Sequence, residues 1–151
     1  MTTQTEVKIL SNRVQARRLN LSGPDEYWNG WSADLAKICN GYGPDAWPEV
    51  ARETLTWIYR SMEISSQIHD VRYELSDGTE EGREIADDEM LGNMRKEVAA
   101  GYPLWKIWRW GRRGLEMAKA DAAWLALRQF GEEAWMTAYH QRTGVDQPDV
   151  T

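Results

Sequence analysis

His69-Asp70-Val71-Arg72-Tyr73 sets an imidazole, a carboxylate and a phenol at positions i, i+1 and i+4 of one short segment, and a further carboxylate, Asp87, follows in the acidic run Glu80 to Asp88. Histidine takes up and returns a proton near neutral pH, a neighbouring carboxylate can orient its ring and stabilise the imidazolium, and a phenol can hydrogen-bond that carboxylate. The chemistry these types support is general-base activation of water.

Helical geometry sorts these groups by direction. At 100° per residue, Ile64, Ile68, Val71 and Leu75 fall within about 60° of one another and form a core stripe. His69 and Tyr73, an i, i+4 pair, fall together on nearly the opposite side, and Asp70 points in a third direction. A helix that buries one face and sets an imidazole beside a phenol on another implies a second wall. The next helix supplies it: Leu91, Met94 and Val98 form its apolar stripe, Asp87 lies on that stripe at i−4 from Leu91, and Asp88 points away. An inward carboxylate is costly without donors, and the His69 ring N–H and the Tyr73 hydroxyl are suitable ones. The expected unit is Asp87 orienting His69 with Tyr73 in support; the same three residues also read as a buried polar network with a purely structural role.

His69-Asp70-Val71-Arg72-Tyr73 resembles the H-D-x-x-Y signature of the phospholipase A2 superfamily, and Ala86-Asp87-Asp88-Glu89-Met90 is similar to the A-D-x-x-F segment of its disulfide-poor viral and phage-type members. Asn40-Gly41-Tyr42-Gly43-Pro44 stands where that family places a Y-x-G-P-G calcium loop. The resemblance covers Cys39 to Met94. It implies a calcium-dependent hydrolase of phospholipid acyl esters, with His69 as general base, Asp87 as its orienting partner, Tyr73 as hydrogen-bonding support and Asp70 as a calcium ligand. Backbone carbonyls near Tyr42, Gly43 and Asp45 would complete the metal site, in keeping with calcium's preference for six to eight oxygens. Asp45 stands in place of the last glycine, Met90 in place of Phe, and the gap from Gly43 to His69 is long. For Gly41 and Gly43 a helix stop and a turn are an equal reading. H-D also opens metal-phosphohydrolase motifs, but these need further histidines, and His140 is the only other one.

The elements that must position these residues are helical. The pattern predicts a mostly α, compact single-domain bundle of about five to six helices over 23–146, with a tail over 147–151. Residues 1–22, with Lys8, Arg13, Arg17 and Arg18 and scattered apolar spots, are expected as an N-terminal arm, extended or forming a short edge strand. Gly23-Pro24-Asp25 opens a helix through Trp28, Trp31, Leu35 and Ile38. A shaped loop over 40–48 with two glycines and two prolines follows, then a helix from Pro48 to Ile58 and the His69 helix, ended by Ser76-Asp77-Gly78. The Asp87 helix runs to about Ala100. Beyond Pro103 a long helix reaches Phe130, and a short one spans Glu132 to Gln141.

Composition narrows the class. A chain of 151 residues with 42% hydrophobic and 28% charged residues suits one folded core. Its one cysteine, Cys39, excludes an internal disulfide, the first ten residues carry no secretory signal pattern, and no stretch is apolar enough to span a bilayer, so a cytoplasmic or virion-associated protein is expected. A net charge of −6 argues against nucleic acid. Nine tryptophans against one phenylalanine point to interfaces as well as core. Tyr102 to Arg113 reverses the local sign, with four cations and no acid, and Trp105, Trp108, Arg109 and Trp110 suit a phospholipid or membrane surface. The favoured reading of this stretch is an ordinary core helix: Leu104, Trp108, Leu115 and Ala118 pack inward, and the cations are solvated or paired with the Glu80 to Glu89 run. Two functions are therefore expected: a phospholipase A2-like hydrolase, or a non-enzymatic helical interaction or phage structural protein that retains the scaffold.

Overall fold

Local capping and apolar spacing divide the chain into seven α-helices among the described residues of a computed structural model, which are 3–39, 56 and 61–145. Helix α1 spans Gln4–Arg18, α2 Asp25–Asn29, α3 Ser32–Ile38, α4 Glu63–Glu74, α5 Glu80–Gly101, α6 Trp110–Phe130 and α7 Glu132–Thr143, with one 3-10 turn at Ile107–Arg109. The described residues contain no strand. The expected loop over 40–48 and most of the expected helix from Pro48 to Ile58 lie outside the described residues.

The N-terminal segment expected as an arm or edge strand is instead α1. A capping box starts it: Thr3 Oγ1 accepts from the Glu6 N–H at 3.3 Å, while the Glu6 carboxylate accepts from the Thr3 N–H. Arg17 and Arg18 in the last turn suit the negative helix end. Ile9 and Ala16 are fully buried, whereas Val7, Leu10 and Val14 are exposed, so the apolar residues do not mark one inward face. The helix expected from Asp25 to Ile38 is broken in two at Gly30, whose backbone is extended and whose carbonyl accepts from Arg13 Nη2 at 2.5 Å. Trp31, expected on the inward stripe, is exposed.

Helix α4 separates two apolar clusters. Its Ile64, Ile68 and Val71 pack with Ile9, Ala16, Leu21, Tyr27 and Leu35 from α1 to α3. On the other side, Met62 joins Met90, Met94, Val98, Ala120, Ala123 and Leu127 between α5 and α6. The polar pairs Arg83 with the Leu127 and Arg128 carbonyls, Trp124 with Asp88, and Arg95 with Asp121 rise along one helix as they fall along the other, so α5 and α6 are antiparallel. Buried Asn93 pins the chain after α1 to α5 by donating to the Ser22 carbonyl at 2.7 Å and accepting from its N–H at 2.9 Å.

Two turns decide where the site elements begin. At Gly78, φ is +74° and a Cβ would meet the Tyr139 ring at 2.8 Å, so glycine is required both by conformation and by space. Thr79 then caps α5 by accepting from the Gly82 N–H at 2.9 Å. Residues 103–106 form a turn rather than the expected first part of the long helix, with the Lys106 N–H donating to the Pro103 carbonyl, and α-helical geometry begins only at Trp110.

Candidate functional site

Helix α4 presents His69 and Tyr73 on the side facing α5 and α7, because Ile64, Ile68 and Val71 fix its opposite face in the first core cluster. The two rings lie against each other, tilted by 40° with centroids 4.2 Å apart. Helix α5 brings up Asp87 on the same face as Met90, Met94 and Val98. The structure brings His69, Tyr73 and Asp87 together: His69 Nε2 lies 3.0 Å from Asp87 Oδ1, and the Tyr73 hydroxyl donates to the same oxygen at 2.8 Å. Asp88, one residue on, accepts from Trp124 instead.

Asp87 is 0% exposed and His69 4%. An ionised carboxylate only accepts, so Nε2 is the donor of this pair and Nδ1 points away from Asp87. The Tyr73 phenol is pushed well above its usual range, first by burial and then by the charge of Asp87, so it stays protonated and acts as a donor.

Five further residues complete this centre, and sequence reasoning missed them. Asp87 Oδ2 has no hydrogen-bond partner but faces two guanidinium groups, with Arg128 Nη1 at 3.5 Å and Arg83 Nη1 at 4.0 Å. Glu80 ties both arginines together, accepting from Arg83 Nη2 at 2.9 Å and Arg128 Nη2 at 2.6 Å. Trp135 of α7 packs edge-on against Tyr73, with centroids 5.1 Å apart. Gly131, between α6 and α7, leaves room for the phenol, since a Cβ there would stand 2.6 Å from the Tyr73 hydroxyl. Arg83 was legible, lying at i−4 from Asp87 on the same stripe; Arg128, Gly131 and Trp135 carry no local signal.

Asp70 takes a different direction from His69, as helical spacing requires. It is half-buried near the end of α3, where its charge adds to burial in pushing the Cys39 thiol up to about 12. That is the end from which residues 40–60 continue. The other expected metal positions, Tyr42, Gly43 and Asp45, lie outside the described residues. Among the described residues no group of three or more His, Cys, Asp or Glu could hold a metal ion. Of the four expected metal positions, Asp70 alone lies among the described residues.

The Trp105 region departs from the favoured packing. Leu104, Trp108, Leu115 and Ala118 are exposed, as are Trp105, Ile107 and Trp110. Of the two arrangements expected for the cations, solvated or paired with the acidic run, the pairing is not seen among the described residues: Glu80 serves Arg83 and Arg128, and Glu89 forms a bidentate pair with Arg72 at 2.8 Å on both arms. Among the described residues no helix is long and apolar enough to cross a membrane. Comparison with family models, with curated proteins and with solved structures finds no match.

Proposed function

We propose that the protein is a calcium-dependent, phospholipase A2-like hydrolase of phospholipid acyl esters. The observation that carries this reading is the buried contact of His69 Nε2 and the Tyr73 hydroxyl with one oxygen of Asp87. His69 Nδ1 takes a proton from water as the water oxygen bonds to the ester carbonyl carbon, and Asp87 stabilises the imidazolium that forms. When the tetrahedral intermediate collapses, the bond to the lysophospholipid oxygen breaks and the imidazolium returns its proton there, leaving a fatty acid. Asp70, with carbonyls near Tyr42, Gly43 and Asp45, would hold calcium, which supplies polarisation of the ester carbonyl when bound.

The test is release from a fluorogenic phospholipid with calcium or with chelator, for the wild type and His69→Gln. Calcium-dependent release that the variant loses is expected; equal rates in both would sink the reading. A second reading, a non-enzymatic scaffold, draws on the depth of burial of the same network. It predicts that His69→Gln and Asp87→Asn lower the melting temperature sharply in a wild type that has no esterase activity.

A further inference from the structure

The turn between α5 and α6 exposes large apolar side chains almost in succession: Leu104, Trp105, Ile107 and Trp108, with Trp105 and Trp108 at 70% and 73%. Near-consecutive exposed residues around this 3-10 turn, the tip between the two helices, point outward in several directions and do not share one helix face. Trp110 Nε1 donates to the Leu104 carbonyl at 2.8 Å and holds the tip in shape.

Charge narrows the occupant. Lys106, Arg109, Arg112 and Arg113 surround the tip, and among the described residues none of them is ion-paired to a carboxylate. Lys106 lies over the Trp105 ring and Arg109 over the Tyr102 ring, at 4.7 and 4.4 Å from the centroids. Four such cations in a chain of net charge −6 call for an anionic counterpart. The exposed side of α6 extends the apolar surface through Leu115, Ala118, Ala122 and Leu125, spaced three or four residues apart.

We propose that the tip and this strip dock on an anionic lipid bilayer, with the tryptophan rings at headgroup level and the cations on lipid phosphates. A bilayer is fluid and accommodates side chains that point in several directions, and the indole ring, apolar with one N–H, suits the boundary between headgroup and acyl chain. The docking does not rest on the hydrolase reading. At 1.5 Å per residue the tip lies roughly 28 Å along α6 from Arg128 and shares no residue with the His69 centre. A molecule lying along the strip brings the Arg128 end of α6 to the same surface.

The test is co-sedimentation of the full chain with vesicles of phosphatidylcholine alone or mixed with phosphatidylglycerol, at low and high salt. Binding to the anionic vesicles is expected roughly tenfold or more above binding to the neutral ones, weakened by salt. Trp105→Ala/Trp108→Ala should lose it by roughly tenfold, as should Ile107→Glu. All three tip positions are exposed, so melting temperatures should hold; if the double variant does not fold, Ile107→Glu and the salt dependence decide. Wild type that ignores anionic vesicles, equal binding to both compositions, or full binding by both tip variants would overturn the proposal. So would a dimer in light scattering that the double variant dissolves, without vesicle binding, because the patch is then a contact between two copies.

Discussion

Arg83 stands one helical turn before Asp87 on α5 and serves two helices at once. Its Nη1 lies 4.0 Å from Asp87 Oδ2 and donates to the Leu127 and Arg128 carbonyls at the end of α6, 3.2 Å away in each case. One guanidinium thus balances a buried carboxylate and donates to two carbonyls in the last turn of α6, where the Leu127 carbonyl also accepts from the Gly131 N–H at 2.7 Å.

Arg83→Met should therefore cost about 3–5 kcal/mol in urea denaturation, the range for removing one partner of a buried ion pair. Arg128→Gln should cost about 1 kcal/mol, because Arg128, although nearer to Asp87 than Arg83 is, is partly exposed and screened by solvent. A loss below about 1 kcal/mol for Arg83→Met would mean that Arg128 alone compensates Asp87.

Gly131→Ala tests whether the joint between α6 and α7 sets the Tyr73 hydrogen bond. The added Cβ would stand 2.6 Å from the Tyr73 hydroxyl and 2.5 Å from the Leu127 carbonyl oxygen, so the phenol must shift off Asp87. A loss of about 1–3 kcal/mol is expected. In a Tyr73→Phe background the same change should cost less, though not nothing, since the Leu127 carbonyl remains. Additive losses in this double-mutant cycle would show that the two residues do not compete for space.

How much of this was legible follows from how far each signal reaches along the chain. The Ile64, Ile68 and Val71 stripe and the inward place of Asp87 were readable because helical period converts spacing directly into faces. Arg83 lay within reach of the same argument. Arg128, Gly131 and Trp135 meet Tyr73 and Asp87 only through the antiparallel pairing of α5 with α6 and the turn into α7, which no local pattern encodes. Helix α1 was hidden because exposed Val7, Leu10 and Val14 obscure its inward face, although Thr3 and Glu6 spelled a capping box. The inward packing expected of Leu104 and Trp108 presupposed a helix through 104–109, where the chain instead makes a turn.

Cys39 offers a readout at the end of α3. Burial, with the Asp70 charge second and Arg13 opposing, pushes its thiol up to about 12. At pH 8 the thiolate fraction is then on the order of 10⁻⁴, against about a quarter for a free thiol of pKa about 8.5. Iodoacetamide should alkylate the native protein on the order of a thousandfold more slowly than the urea-unfolded chain, and faster as pH rises. Equal rates would show that this end of α3 opens to solvent.

Glu97 should make stability depend on pH in a predictable direction. Its carboxylate accepts from the Ser65 N–H at 3.0 Å and from the Ser65 hydroxyl, yet burial outweighs these bonds and holds its pKa above the ordinary 4.5. A raised folded-state pKa means that the folded protein keeps the proton to higher pH than the unfolded chain does. The stability from this group is thus present below about 4.5 and lost as pH rises through the folded value. Glu97→Gln is neutral throughout and keeps a carbonyl oxygen for Ser65. It should therefore melt a few degrees above the wild type at pH 7, with the gap closing as pH falls towards 4.5. A variant that melts below the wild type at pH 7 and gains on it in acid would show that the Ser65 bonds to the ionised carboxylate outweigh the cost of burying it.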